Sequence, residues 1–300
     1  MRRPESAWRT RARPCASLGE LAGRCDIILL CLPTSAEVHA VIFGQNGLAG
    51  SAKPGTLIID QTTGDHTATR AMSAELAGRG VELIDAPVSG GPRGADVGTI
   101  AIMVGATADQ YARAEPILRS ISPNVFHAGG VGTAHVIKLV NNMLFGAQRL
   151  VSFEGLALAV KNGIEPRMAL DIILARSGRN FYLEHFGAQI ISGNLKAGFT
   201  LGLLHKDVRL ATQLGADSGV PLFLGNIARD FYRCASTRWV ARRKSIPPRP
   251  GDGPTRRDAR RAAGLHSLTP SLRRADEVDT TRRTRARRKG SVGAKWTKLA

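Results

Sequence analysis

The chain has 300 residues, enough for one or two domains with a substantial core. Its 43% hydrophobic and 5% aromatic content is typical of a soluble α/β protein. The net charge of +18 lies at the two ends, because residues 18–232 hold seventeen basic and eighteen acidic side chains. The charge therefore excludes a broadly basic, nucleic-acid-binding body.

Short apolar runs alternate with helical patterns in the first part of the chain. The patterns predict strands at 27–32, 56–60, 81–84 and 100–104, and helices at 37–43, 67–79 and 109–120. The run from Ile27 to Leu32 is continuously apolar and ends at Pro33, as expected for a strand buried on both faces. Strands that alternate with helices favour a parallel, doubly wound sheet.

The pattern becomes helical after Gly132. Residues 133–162 form one long stretch with helical apolar spacing, which Gly163 closes, and Pro166 opens the next helix. Helical patterns then continue without a convincing strand. The second part of the chain is therefore predicted to be all-α.

The composition predicts three parts. We expect an α/β domain at 1–131, an all-α domain at 132–235 and a basic, disordered tail at 236–300. Within that tail, the segment from Arg282 to Lys289 holds six basic residues in eight.

Four cysteines give no sign of a metal site or a disulfide framework. Cys15, Cys25, Cys31 and Cys234 form no Cys-x-x-Cys pair, and no histidine lies at zinc-ligand spacing from them. The apolar run that begins at Ile27 is too short for a membrane span or a secretion signal. We expect a cytoplasmic protein without a bound metal or a membrane association.

Two motifs carry groups that suit chemistry on a small acid. Glycines in Ser89-Gly90-Gly91 let backbone N–H groups approach a ligand, and successive N–H groups in a turn form an anion-binding concavity. Lys138 and Asn142 are four residues apart, so they share one helix face. Together the motifs indicate an enzyme that holds a carboxylate and moves a proton. An ordinary turn and a solvated helix lysine are the alternatives.

These motifs, at this spacing, resemble the β-hydroxyacid dehydrogenase family, the group that includes 3-hydroxyisobutyrate dehydrogenase and tartronate semialdehyde reductase. The resemblance extends from about Leu18 to about Tyr232. Its matching stretches are 26–33, 60–63, 85–105, 129–163 and 206–221. It implies an incomplete Rossmann-like dinucleotide-binding domain followed by a helical substrate and dimerisation domain. The implied activity is hydride transfer between NAD or NADP and a short 3-hydroxy acid or semialdehyde.

The resemblance also implies a role for each matching residue. Lys138 would be the catalytic acid/base, and Asn142 would orient the substrate. The substrate carboxylate would be held by Ser89, Gly90 and Gly91. The nicotinamide cofactor would be contacted by Leu32, Pro33, Thr63 and Lys206.

Two neighbours of these residues are weaker candidates. Asn141 is adjacent to Asn142 but points about 100° away on the helix, so it is the poorer candidate for substrate binding.

The histidines have no partners at metal spacing and are expected to be surface or structural residues. We hypothesise that His135, three residues before Lys138, influences the pKa of that lysine.

The chain departs from the family pattern at both ends. No Gly-x-Gly-x-x-Gly turn precedes Asp26, and the apolar helical pattern is lost beyond Tyr232. We therefore expect weak cofactor binding and an incomplete surface for a homo-oligomer. Two other functions stay open: an inactive truncated remnant, or a non-specific nucleic-acid binder that acts through the basic tail.

Overall fold

The computed structural model describes residues 13–194 and 199–245. Its strands are β1 (Ile27–Leu30), β2 (Leu57–Asp60), β3 (Glu82–Asp85), β4 (Val88–Ser89), β5 (Ala101–Gly105) and β6 (Val125–Gly129). Its α-helices are α1 (Leu18–Arg24), α2 (Ser35–Phe43), α3 (His66–Ala77), α4 (Gly91–Val97), α5 (Ala108–Ile121), α6 (Thr133–Lys161), α7 (Pro166–Leu174), α8 (Phe181–Ile191), α9 (Leu201–Asp217) and α10 (Phe223–Ser245).

The six strands form one mixed sheet in which parallel pairs dominate. Strands β1, β2 and β3 are parallel, and β5 is parallel to β6. The predicted doubly wound α/β architecture is therefore confirmed for this core. Strand β5 corrects the expectation of an all-parallel sheet, since it runs antiparallel to β3 and β4.

Local capping explains where the helices of the α/β part begin. The side chain of Thr34 accepts a hydrogen bond from Ala36 N at the start of α2, and Asp65 accepts two from the first turn of α3. Thr107 and Gln110 form a reciprocal capping box at the start of α5. Each cap satisfies backbone donors that the helix itself leaves unpaired, so the predicted helices begin close to their expected positions.

Helices cover both faces of the sheet. Ile58 of β2 packs toward α2 and α3, whereas its neighbour Ile59 packs toward α5, because successive strand residues face opposite sides. Strand β1 was the exception to the predicted burial: it ends at Leu30, and Leu29 is 39% exposed. Among the described residues β1 pairs only with β2, so one of its faces is less covered.

The helices α6 to α10 form the second part, and no strand follows β6 within the described residues. Helix α10 continues to Ser245, past the predicted start of the tail at 236, while residues 246–300 lie outside the described part. The described residues up to Lys244 belong to one compact unit, and the predicted domain boundary at 131/132 stays a prediction.

Within the described residues, α6 is the helix that is long and apolar enough to cross a membrane by length and composition. The same two properties are found in the core helices of soluble proteins. Helix α6 buries Lys138 and Asn142 together with Leu139 and Leu156. In the most apolar 18-residue stretch of α6, 17% of the residues are buried.

Tyr232 fastens α10 to α6, because its buried hydroxyl donates a 2.8 Å hydrogen bond to Gly146 O. Replacing Tyr232 with Phe removes this bond between the two helices, although Gly146 O keeps its place in the backbone hydrogen bonding of α6. We expect Y232F to lower the free energy of unfolding by about 0.5–1.5 kcal/mol, measured by urea denaturation. The matched control is Tyr111→Phe, whose partly buried hydroxyl pairs with Glu115 within α5. A loss no larger than that of Y111F would contradict the assigned role.

Candidate active site

The Ser-Gly-Gly turn follows directly from the end of β4. Gly90 has a φ of 132° and Gly91 a φ of 61°, conformations that side chains rarely adopt. A Cβ at Gly90 would also lie 3.2 Å from the Ile100 side chain. The turn therefore requires glycine, and it leaves its backbone and the Ser89 hydroxyl at the end of the strand.

Lys138 lies in the second turn of α6 and is only 6% exposed. No hydrogen bond is found for its ammonium group within the described part of the chain. The pKa of its amine is lowered to about 8: burial lowers it most, the carboxyl group of Asp207 opposes the shift, and the nearby charge of Lys206 adds to it. This amine can gain or lose a proton near neutral pH.

Asn142 is buried one turn further along α6, and its Nδ2 donates a 2.6 Å hydrogen bond to Asp207 Oδ2. Burial raises the pKa of the Asp207 carboxyl, and the adjacent Lys206 and the bond from Asn142 oppose that change. Asp207 therefore holds the Asn142 amide in one orientation and lies close to two lysines.

Lys206 connects α9 to the carboxyl ends of β1 and β2. Its Nζ lies 3.1 Å from Asp207 Oδ1 and donates to Pro33 O at 3.1 Å and to Thr63 O. The loop after β1 is held further by Leu32 N, which donates to Thr62 Oγ1 at 3.0 Å. The four residues predicted to contact the cofactor, Leu32, Pro33, Thr63 and Lys206, thus lie together at the carboxyl ends of β1 and β2.

Asn141 connects the turn to the helix. Its Nδ2 lies 3.1 Å from Asn142 Oδ1 and 3.5 Å from Ser89 Oγ, so it reaches both predicted elements of the substrate site. The expectation that Asn141 is the poorer candidate for substrate binding stays a prediction, although its amide lies between Ser89 and Asn142. A polar path of side chains extends from Ser89 through the two asparagines and Asp207 to Lys206.

Sequence reasoning missed Asp207 and left open whether His135 is a surface or a structural residue. Asp207 follows Leu204 by three residues and precedes Ala211 by four, so it lies on the buried face of α9. That spacing was a usable signal for a buried carboxyl group. His135 is fully buried, which helix spacing alone does not reveal. Among the described residues, no group of His, Cys, Asp and Glu side chains could hold a metal ion.

Three of the residues predicted to contact the nicotinamide lie at the edge formed by the carboxyl ends of β1 and β2. Open α/β sheets bind ligands outside the carboxyl ends of their strands, which is where Leu32, Pro33 and Thr63 lie. Leu32 and Pro33 are apolar, and the Thr63 carbonyl accepts a hydrogen bond from Lys206 Nζ. Contact of these residues with a nicotinamide ring stays a prediction.

Two family models match the chain. Residues 2–130 match the NAD binding domain of 6-phosphogluconate dehydrogenase. Residues 132–243 match the model described as NAD-binding of NADP-dependent 3-hydroxyisobutyrate dehydrogenase. The two matches meet at the start of α6, where Lys138 lies.

Individual relatives of the chain are hydroxyacid dehydrogenases as well. The chain is 35% identical over 222 residues to 2-(hydroxymethyl)glutarate dehydrogenase of Eubacterium barkeri, covering 74% of each chain. It is 33% identical over 214 residues to 3-hydroxyisobutyrate dehydrogenase of Pseudomonas aeruginosa, covering 69% of this chain and 72% of the relative. A solved structure of Mycobacterium tuberculosis 3-hydroxyisobutyrate dehydrogenase with L-serine is 30% identical, with a TM-score of 0.68 over 74% of this chain and 78% of that one.

Asp207→Asn should lower the pKa of Lys138 below about 8, because the carboxyl group of Asp207 favours the charged amine. The measurement is the pH dependence of Lys138 acetylation by acetic anhydride, followed by mass spectrometry of the labelled peptide. Asp217→Asn, at the exposed end of the same helix, is the control and should leave the profile unchanged. An unchanged profile in D207N would show that the two groups are not coupled.

Proposed function

The chain belongs to the β-hydroxyacid dehydrogenase family, and we propose that it interconverts a short 3-hydroxy acid and the corresponding semialdehyde. NAD or NADP is the cofactor. The observation that carries this proposal is a buried amine of lowered pKa, Lys138, beside a polar path between the Ser89 turn and the edge at Thr63.

Lys138 acts as the acid/base. In the direction of reduction, its ammonium group donates a proton to the substrate carbonyl oxygen, and in oxidation its neutral amine accepts the hydroxyl proton. Because the amine has no partner among the described residues, it can bond to the substrate oxygen. The bound cofactor supplies hydride exchange at its nicotinamide ring.

Asn142 and the Ser-Gly-Gly turn position the substrate. An amide nitrogen has two N–H donors, and Asp207 uses one of those of Asn142, so the second can reach the reacting oxygen. Ser89, Gly90 and Gly91 hold the substrate carboxylate through the hydroxyl and the backbone N–H groups. On the other side, Leu32, Pro33 and Thr63 contact the nicotinamide, and Lys206 holds their loops against α9.

The relatives suggest which acids to test. One relative is named for 2-(hydroxymethyl)glutarate, another for 3-hydroxyisobutyrate, and a solved relative contains L-serine. We propose that the substrate is one such small hydroxy acid, handled in the cytoplasm. Non-specific nucleic-acid binding through 236–300 stays a prediction, because most of that segment lies outside the described residues.

An assay with these three acids, using NAD⁺ and NADP⁺, tests the proposal. Wild type should oxidise at least one of them, with kcat/KM rising through about pH 8 as Lys138 loses its proton, while the reverse reduction should fall over the same range. Lys138→Gln should lower kcat by roughly 10²- to 10⁴-fold. Lys161→Gln, an exposed lysine at the end of the same helix, should change it less than twofold.

Absence of turnover with every acid and both cofactors would refute the proposed function. Fluorescence titration with NADH and NADPH then separates the alternatives. Saturable binding without turnover would indicate a different substrate class. No binding of either nucleotide would support an inactive protein.

We also propose that the chain forms a homo-oligomer through its helical part. Ile137, Leu144, Val151 and Leu158 recur every seven residues on α6, and each is at least 45% exposed. This apolar stripe has the spacing that packs two helices side by side. More exposed apolar side chains lie on α7 and α10, namely Met168, Ile172, Phe223, Leu224, Ile227 and Phe231. Apolar surface of this extent is typical of interfaces.

Replacing Leu144 and Val151 with Glu should therefore shift the protein toward monomer. The measurement is the molar mass by light scattering after size exclusion. Val97→Glu is the control, since Val97 is equally exposed but lies on α4 of the α/β part. A monomeric wild type, or an unchanged mass in the double variant, would contradict the interface.

A further inference from the structure

The start of α6 is fixed by a carboxyl group from the sheet. Both oxygens of Asp85, the last residue of β3, accept backbone N–H groups: Gly132 N at 2.6 Å and His135 N at 2.8 Å. Asp85 is fully buried. A carboxyl group at this position caps the helix and suits the positive end of its dipole. The position and rotation of α6 are therefore set directly by β3.

The side chain of His135 makes a second connection in a different direction. Its Nε2 lies 2.8 Å from Thr62 O, and its Nδ1 lies 3.1 Å from Thr69 Oγ1 on α3. All three residues are buried. Because Thr62 O can only accept, Nε2 is the protonated nitrogen in this contact.

Thr62 is itself held in place from the other side. Its backbone N donates to Asp60 Oδ1 at 2.9 Å, and its hydroxyl accepts a hydrogen bond from Leu32 N. The next residue, Thr63, provides the carbonyl that Lys206 contacts. His135 therefore joins the loop on the cofactor side to the helix that carries Lys138, which lies one turn beyond it.

We propose that His135, with Asp85, is a positioning residue that sets the distance between the Lys138 amine and the loop from Thr62 to Thr63. Asp85 fixes the start of α6 against the sheet, and the imidazole of His135 fixes it against the loop. Two contacts in different directions prevent both sliding and rotation of the helix start. The expected effect on kcat rests on the proposed function, whereas the role of His135 in positioning α6 does not.

The alternative is that His135 has only a structural role, and His127 offers a matched comparison. The Nε2 of His127 also contacts a backbone carbonyl at 2.8 Å, that of Ala106, but it lies on β6, and within the described residues no hydrogen bond joins its ring to α6 or to the loop after β2. Loss of either ring removes a hydrogen bond to a backbone carbonyl; loss of His135 also removes the bond to Thr69, and loss of His127 the stacking on Tyr111. Only the loss of His135 should alter the Lys138 site.

The kinetic test compares His135→Ala and His135→Gln with His127→Ala in the full-length chain. H135A should lower kcat by about 10- to 100-fold, because a displacement of about 1 Å at a reacting group has a cost of this size. Its KM for the hydroxy acid should stay within threefold, since the Ser89 turn is unchanged. H135Q should recover most of the rate, as its amide can donate to Thr62 O. H127A should keep kcat within twofold.

A second readout does not depend on activity. The pH profile of Lys138 acetylation should move in H135A from about 8 toward the ordinary lysine pKa of ~10.4, because a displaced amine gains water. The charged groups that face Lys138 are Lys206 and Asp207, and these variants leave both intact. If wild type oxidises no hydroxy acid, the proposed function fails, and this profile still decides the inference.

Two results would overturn the inference. One is an acetylation profile of H135A that matches wild type while the variant unfolds cooperatively. The other is an equal loss of kcat and melting temperature in H135A and H127A, which would indicate a structural role only. Should H135A fail to fold, Thr69→Val takes its place in the test: it keeps the imidazole but removes the partner of Nδ1, together with the bond of the same hydroxyl to Asp65 O, and should shift the profile in the same direction.

Discussion

The site depends on one buried carboxyl group, that of Asp207. It contacts the amide of Asn142 and the ammonium group of Lys206, and its charge acts on Lys138. Without that carboxyl group, two lysines would lie close together at a poorly solvated position, which is strongly unfavourable for both charges. The pairing allows α6, α9 and the ends of β1 and β2 to meet around a carboxyl group that offsets part of the positive charge of the two lysines.

The same arrangement decides the chemistry of Lys138. Burial favours the neutral amine and outweighs the attraction of Asp207, so the pKa of the lysine lies near 8 instead of above 10. A fully solvated lysine would hold its proton too tightly to accept one from a hydroxyl group near neutral pH. A lysine buried without a carboxyl group nearby would lose its charge altogether and could no longer donate. Because Asp207 offsets only part of the effect of burial, the amine of Lys138 can both donate and accept a proton near pH 8.

Several features of the fold follow from local patterns in the sequence. The capping residues Thr34, Asp65 and Thr107 and the glycine at Gly132 lie where helices begin, and turn chemistry of this kind is local. The four-residue spacing of Lys138 and Asn142 places them on one face of a helix whatever surrounds it. The direction of β5 and the partial exposure of β1 were not predictable in this way, because both depend on which strands become neighbours.

The sequence by itself therefore determined the alternation of strands and helices, the glycine turn after Ser89, and the shared face of Lys138 and Asn142. Only the tertiary structure decided that Asp207 pairs with Asn142, that Asn141 reaches Ser89, and that His135 is buried against Thr62. The physical reason is the distance along the sequence between the residues that interact. Helix and strand periods are set by neighbours in the chain, whereas the partner of a buried polar group is set by packing between segments that lie far apart in sequence.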